Sequence, residues 1–174
     1  FEAGPLLGYR FGRTSSDSTK LAGFADIDGG LVAGGYLGYR LGSLFLSTSY
    51  HHQVSGSDTG GVVRLLAEQT LYRDRTGGTK VVANLGTNIA SKDYMTSYFG
   101  VSPAQAGVLP AYNASAGFKD VFMGLTATVE LSRSWSLFAT GNYARLIGDA
   151  GDSPVIDTRD QFVAGVGLSY KFGP

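Results

Sequence analysis

The chain contains no cysteine, and this absence excludes a disulfide framework and any metal site built on thiolates. Charged residues are scarce, at 16% of 174 residues, against about a quarter in typical soluble domains. The formal net charge is zero, so the composition favours neither a nucleic-acid partner nor a polybasic membrane patch. No apolar run approaches the roughly 18 residues that a transmembrane helix needs. No signal peptide is recognisable, so we expect a mature form or a fragment, with one domain over residues 1–174.

What the sequence has instead is a strict alternation of apolar with small or polar residues, clearest near the C-terminus. One face of that segment carries Phe162, Ala164, Val166, Leu168, Tyr170 and Phe172. The other face carries Gln161, Val163, Gly165, Gly167, Ser169 and Lys171. A period of two predicts a β-strand, and an apolar face of this length matches the thickness of a bilayer. Gly173 and Pro174 follow the last Phe and depart from the usual ending of an outer-membrane strand.

The same alternation recurs seven more times, so we predict eight strands and no helix. The predicted strands cover residues 6–13, 30–41, 44–51, 63–71, 80–89, 121–131, 135–143 and 161–172. Short connections at residues 42–43, 73–79 and 132–134 contrast with long ones at 14–26, 90–119 and 148–159. Short turns at one end and long loops at the other are typical of transmembrane barrels, with both termini on the short-turn side. We therefore predict an all-β, antiparallel up-and-down transmembrane β-barrel.

The alternative is a soluble barrel whose apolar face points inward. The polar face argues against it, because it is rich in Gly, Ser and Thr and carries little charge. Aromatic residues also occupy both ends of the apolar face, as in the interfacial girdles of membrane barrels. The predicted girdle residues are Tyr9, Phe11, Tyr50, Tyr143 and Phe162 toward the long loops, and Tyr39, Trp135, Tyr170 and Phe172 toward the short turns.

Seven charged residues fall on the predicted lumen face. They are Arg10, Arg40, Arg64, Glu68, Lys80, Asp120 and Glu130. Because unpaired charge is costly where water is scarce, we expect charges of opposite sign to pair there. A salt-bridge network that fills the barrel is favoured over a selectivity filter, since eight strands leave little room for a channel.

Two further groups of residues invite a chemical interpretation. Ser49 and His51 share a face, as in an esterase, but no carboxylate is placed to orient the imidazole. Asp149, Asp152 and Asp157 offer oxygen ligands for Ca²⁺, but their spacing matches no EF-hand-like ligand pattern. We therefore favour a structural role for the histidine and a solvated loop for the aspartates, and predict no catalytic residue, cofactor or metal site.

Several motifs in the chain point to a known family. They are Tyr98-Phe99-Gly100-Val101-Ser102-Pro103-Ala104-Gln105, Leu109-Pro110-Ala111-Tyr112, Gly117-Phe118-Lys119-Asp120, Trp135-Ser136-Leu137-Phe138, Arg145-Leu146-Ile147-Gly148-Asp149-Ala150, Asp152-Ser153-Pro154 and Gly8-Tyr9-Arg10-Phe11-Gly12-Arg13. In these motifs the chain resembles the MipA/OmpV family of Gram-negative outer-membrane proteins. Family members are typically longer at the N-terminus, with further strands, so we expect this chain to be shortened there.

The resemblance implies a non-enzymatic protein of the outer membrane. By the convention of transmembrane barrels, the short-turn side with both termini is expected to face the periplasm. It implies a scaffold that brings a lytic transglycosylase together with a bifunctional peptidoglycan synthase. Other members of the family are treated as porin-like or adhesin-like, and these alternatives stay open. For a scaffold, the charges of the short turns, which are Arg73, Asp74, Arg75 and Arg133, are expected to steer the partner. For an adhesin, the long loop that carries Tyr98 and Tyr112 is the expected contact surface.

Overall fold

The computed structural model of the protein describes residues 1–16, 18–76, 78–105 and 109–172. Gly77 of one short turn, residues 106–108 of the longest loop and the terminal Gly173-Pro174 lie outside the described residues, as does Asp17. Eight antiparallel strands form one sheet, in which each strand pairs with the next along the chain. The strands are β1 (Glu2–Arg10), β2 (Gly30–Leu41), β3 (Leu44–Gln53), β4 (Gly61–Arg73), β5 (Thr79–Ala90), β6 (Gly117–Glu130), β7 (Trp135–Leu146) and β8 (Asp160–Tyr170). The predicted all-β, up-and-down antiparallel fold is confirmed.

The sheet is curled, and side chains of strands that are not neighbours meet on its inner face. Asn84 of β5 donates to Asn142 of β7 at 3.4 Å, across β6. The guanidinium of Arg64 on β4 lies 4.0 Å from the ring centre of Phe122 on β6. β1 and β8 are the two edges, and over the described residues no pairing joins them. No helix in this part of the chain is long and apolar enough to cross a membrane.

Glycines on the inner face make room for large rings on the neighbouring strand. A methyl group added at any of three glycines would collide with an aromatic ring on the neighbouring strand. The three pairs are Phe45 over Gly38, Phe122 over Gly86 and Phe138 over Gly167. These positions explain why glycine lies inside the strands, where it otherwise weakens a sheet. The rings fill the space that the missing side chains leave.

The tight turns follow the register expected from the alternation. Leu41 pairs with Leu44 across a two-residue turn, in which Gly42 adopts a φ of 59°. Leu131 donates its amide to the carbonyl of Trp135 at 2.8 Å, which closes the turn at residues 132–134. A positive φ favours glycine, because other residues place their Cβ against the backbone there. Gly42 is therefore required by the geometry of its turn.

The first strand differs from the prediction, because it covers Glu2–Arg10 rather than residues 6–13. After Arg10 the chain leaves the ladder and crosses the segment before β2. A Cβ at Gly12 would collide with the backbone of that segment, and Arg13 exchanges two backbone hydrogen bonds with Ile27. This crossing ends the pairing of β1.

The prediction that the chain has no helix is wrong. The long connections contain a 3₁₀ turn, η1 (Thr19–Leu21), and two helices, α1 (Lys92–Phe99) and α2 (Gly148–Asp152). The hydroxyl of Ser91 caps α1 by accepting the amide of Tyr94 at 3.3 Å. These elements all lie at the long-loop end, where they support the packing described below.

Candidate functional site

The outer face of the sheet is a continuous apolar surface. Leu125, Leu137 and Leu168 lie on it and are exposed, whereas Thr126 and Thr140 lie on the inner face and share a hydrogen bond of 3.0 Å. Exposed apolar patches on soluble monomers rarely exceed a few hundred Å², and this surface spans all eight strands. Such a face fits the hydrocarbon of a bilayer.

The residues predicted as aromatic girdles lie at the two ends of this outer face. Toward the short turns, Trp135 packs edge-to-face on Tyr170 with ring centres 4.9 Å apart, and Phe172 packs on Tyr170 at 4.8 Å. Toward the long loops, Tyr143 packs against Phe162 at 4.9 Å and donates to the carboxylate of Asp160 at 2.5 Å. The remaining predicted members are exposed at the same two levels: Tyr9, Phe11, Tyr39 and Tyr50.

Arg10, Arg64 and Asp120 lie together on the inner face, nearer the long loops. Arg10 donates to Thr59 at 2.8 Å and lies 4.9 Å from the ring centre of Tyr94, so its partners are neutral. Arg64 stacks on Phe122, at the distance given above. Asp120 is buried, accepts the amide of Asn88 at 2.7 Å and attracts Arg64.

The ion pairs of the inner face use partners that sequence reasoning missed. Asp120 contacts Lys119 at 2.7 Å, and Arg40 contacts Glu2 at 3.2 Å, but neither partner belongs to the predicted set. Lys119 is the extra residue of a bulge between β5 and β6, so it does not follow the alternation. Glu2 lies before the predicted start of β1. In the described part of the chain, the predicted lumen residues Glu68, Lys80 and Glu130 form no ion pair.

A second β-bulge, at the short-turn end, turns the side chain of Arg73 to the inner face. The register of β4 against β5 slips at Leu71, so that Arg73 lies directly opposite Lys80. By simple alternation Arg73 would face outward, with Leu65 and Ala67. Instead it lines a cavity of about 550 Å³ at this end of the inner face. The other lining residues are Arg40, Gly42, Ser43, Thr70 and Lys80.

The long loops pack into a cap with its own small core. Met95 and Phe99 of α1 are buried against Val62 and Leu146 at the ends of two strands. Val101 exchanges two backbone hydrogen bonds with Tyr112, at 2.8 and 2.9 Å. The cap therefore covers the inner face at this end of the sheet.

The residues of the long-loop motif are structural parts of this cap. The Tyr112 hydroxyl donates to the carbonyl of Asp149 at 2.9 Å, and burial, with a smaller effect of nearby carboxylates, raises the pKa of that hydroxyl. The carbonyl of Phe99 accepts the hydroxyl of Ser153 at 2.6 Å, and Gln105 accepts the amide of Ser102 at 3.0 Å. Tyr98 is partly buried against the core, Gly100 is buried and Pro110 is exposed.

The cap also joins the loops that adjoin the two edge strands. The ammonium of Lys20, between β1 and β2, lies 2.6 Å from the carboxylate of Asp157, which precedes β8. The same ammonium donates to the carbonyl of Ile156 at 3.3 Å. Leu21 and Phe24 form an apolar cluster with Val155 nearby. The edges are thus connected at the long-loop end, although their strands are not paired.

The residues considered for an esterase site and for a calcium site are not arranged as such sites in the described part of the chain. His51 has Arg10, Arg64 and Lys119 as its charged neighbours, and the carboxylate of Asp58 contacts the adjacent His52 at 3.3 Å. Among the described residues, no catalytic triad forms around Ser49.

The three aspartates of the calcium interpretation have separate partners. Asp149 accepts the amide of Ser115 at 2.7 Å, Asp152 contacts Arg159 at 2.5 Å, and Asp157 contacts Lys20. Among the described residues no group of three or more acidic or histidine side chains is arranged to hold a metal ion.

The comparison with known protein families decides the assignment. A family described as "MltA-interacting protein MipA" matches residues 1–172. The chain belongs to the MipA family. It is 31% identical over 105 residues to the MltA-interacting protein of Escherichia coli K12, covering 59% of this chain and 42% of the relative.

Two relatives carry outer-membrane names. Over 149 residues the chain is 27% identical to outer membrane protein Omp26La of Vibrio anguillarum, covering 85% of this chain and 55% of the relative. Over 133 residues it is 27% identical to outer membrane protein OmpV of Vibrio cholerae, covering 76% of this chain and 50% of the relative. The chain thus spans about half the length of the curated relatives it matches. No solved structure matches it significantly.

These comparisons agree with the apolar outer face. A MipA-family protein with relatives named as outer-membrane proteins belongs in the outer membrane. The relatives are named as interacting or outer-membrane proteins and not as enzymes.

Proposed function

We propose that the protein is a non-enzymatic scaffold of the outer membrane, which holds a lytic transglycosylase near a bifunctional peptidoglycan synthase. The observation that carries this proposal is the family match over residues 1–172, since a relative in that family is named for its interaction with MltA. The exposed apolar outer face supplies the membrane anchor that such a scaffold needs.

The short-turn side is the proposed contact surface for these enzymes. In transmembrane barrels the short turns and the termini face the periplasm, where peptidoglycan is remodelled. Arg75 and Arg133 are exposed on these turns and form no ion pair within the described residues. As rim charges they steer an acidic partner and contribute under about 1 kcal/mol each to binding.

The two alternative functions, passage of small solutes and adhesion to a host surface, have less support. The inner face holds inward-pointing aromatic rings, including Phe45, Phe122 and Phe138, and the cap covers its long-loop end. The aromatic residues of the longest loop are buried or half-buried in that cap, so few of them are displayed to a host surface. A scaffold needs neither an open lumen nor an aromatic loop surface.

The proposal is tested by cross-linking in membranes that contain the protein in the length in which its cell makes it. In one variant the three short turns are replaced by neutral turns of equal length. In a matched variant, the exposed Ser102, Pro103 and Ala104 of the long loop are replaced. We expect cross-linking to the lytic transglycosylase to fall at least tenfold in the turn variant and to persist in the loop variant.

The reverse result would show that the contact surface is wrong. Unchanged cross-linking in the turn variant, with its loss in the loop variant, would place the partner on the long-loop side. No cross-link in the unmodified protein would contradict the scaffold function itself. Folding of each variant is checked beforehand by the shift in gel mobility that folded membrane barrels show on heating.

A further inference from the structure

The cavity at the short-turn end contains an unusual arrangement of cations. Arg73 and Lys80 lie directly opposite each other on paired strands, on the same face of the sheet. Like charges in this position repel and destabilise a sheet. A simple continuation of the alternation in β4 would have turned Arg73 to the outer face and avoided the repulsion. The bulge at Leu71 brings the two charges together instead.

Within the described residues, no carboxylate forms an ion pair with either of these two cations. Arg73 and Lys80 form neither an ion pair nor a side-chain hydrogen bond with any described residue. Arg40, the third cation of the cavity, contacts Glu2 at 3.2 Å and stacks on the ring of Phe45 at 4.7 Å. Among these three cations, Arg40 alone forms an ion pair with a carboxylate of the described residues.

The rest of the lining suits a small, multiply charged oxyanion. The cavity has a volume of about 550 Å³, and Ser43 and Thr70 add hydroxyl groups that can donate hydrogen bonds. Arginine presents a planar fork of donors to carboxylate or phosphate oxygens, and lysine acts as a point charge on the same group. Beta-bulges recur where a side chain is redirected for function.

We propose that this cavity is a binding site for an oxyanion that carries two or more negative charges, either phosphate or carboxylate. Arg73 and Lys80 bind the anion from opposite strands, and Arg40 contributes the third positive charge. Anion binding at this site goes beyond the scaffold function and can be measured without a partner enzyme, although Arg73 also belongs to the turn that the cross-linking variant replaces. Bound anion replaces the repulsion between the two cations with attraction to a common ligand.

The test measures binding by calorimetry, with the protein at its native length in detergent micelles and at constant ionic strength. Pyrophosphate is the phosphate probe and citrate is the carboxylate probe. We expect saturable binding of at least one of them, weakened at least tenfold by Arg73→Gln and by Lys80→Gln. Lys92→Gln, which removes an exposed cation of α1 at the other end of the molecule, is the matched control and should change binding less than twofold.

A second measurement separates a binding role from a structural one. Without multivalent anion, Arg73→Gln should leave the thermal unfolding midpoint unchanged or raise it, because the repulsion is removed. Added pyrophosphate or citrate should raise the midpoint of the unmodified protein and not that of the variant.

Three results would overturn the proposal. One is the absence of saturable binding of both probes, and another is equal weakening in the Lys92→Gln control. The third is a lower unfolding midpoint of Arg73→Gln in the absence of anion, which would show that Arg73 stabilises the fold by itself.

Discussion

Removal of the Asp120 carboxylate should destabilise the protein more than removal of any exposed acidic group. Its side chain is only 4% exposed, and it contacts Lys119 and Asn88, each at 2.7 Å. In Asp120→Ala the charges of Lys119 and Arg64 remain on the inner face without this counter-charge. Breaking a buried ion pair in this way costs about 3–5 kcal/mol of unfolding free energy.

The matched control is Glu2→Ala, which breaks the pair with Arg40. Both side chains of that pair are about half exposed, at 45% and 51%, so we expect a loss under about 1 kcal/mol. The double variant Asp120→Leu with Lys119→Met removes both charges of the buried pair. It should recover most of the loss, because no partner of that pair is left without its counter-charge.

The assay is urea unfolding of the intact protein in micelles, followed by the fluorescence of Trp135. A loss in Asp120→Ala no larger than that in Glu2→Ala would refute the reasoning. A double variant whose loss equals the sum of the losses in Asp120→Leu alone and Lys119→Met alone would also refute it, because the two charges would then act independently.

Two further predictions concern the two faces of the sheet. Leu168→Arg places a charge on the outer face and should lower the free energy of unfolding in a bilayer by about 2–4 kcal/mol, whereas Ser169→Arg on the inner face should lower it much less. Equal losses for the two variants, measured by unfolding in lipid vesicles, would contradict the assigned orientation. Planar-bilayer recordings should show no steady channel, because rings and the cap fill the inner face. Reproducible ion-selective conductance that changes on Arg64→Ala would instead favour a pore.

The strands and tight turns were predictable because lipid on one side and packed small residues on the other impose a period of two. That period also placed Arg10, Arg64 and Asp120 on the inner face. The turn at Gly42 followed from the requirement that like faces pair across it. Each of these features depends on a local pattern of residues, and such a pattern can be read from one sequence.

The bulges and the cap were not predictable in the same way. Leu71 and Tyr72 are both compatible with the outer face, so nothing in their chemistry marks the extra residue that redirects Arg73. Helix α1 is polar overall and becomes stable because Met95 and Phe99 find a core supplied by distant strands. Contacts that depend on tertiary packing produce no periodic pattern of residues in the sequence.

Within the described residues, β1 and β8 each have one side without a paired strand, and this has a consequence for their backbone groups in a bilayer. Within hydrocarbon, every backbone amide and carbonyl without a hydrogen-bond partner costs several kcal/mol. The six interior strands satisfy these groups on both sides, while each edge strand satisfies them on one. Pro5 lessens the burden on β1 by one donor, since it has no amide hydrogen. Among the described strands, the backbone groups on the outer sides of β1 and β8 are therefore the ones that still need hydrogen-bond partners in hydrocarbon.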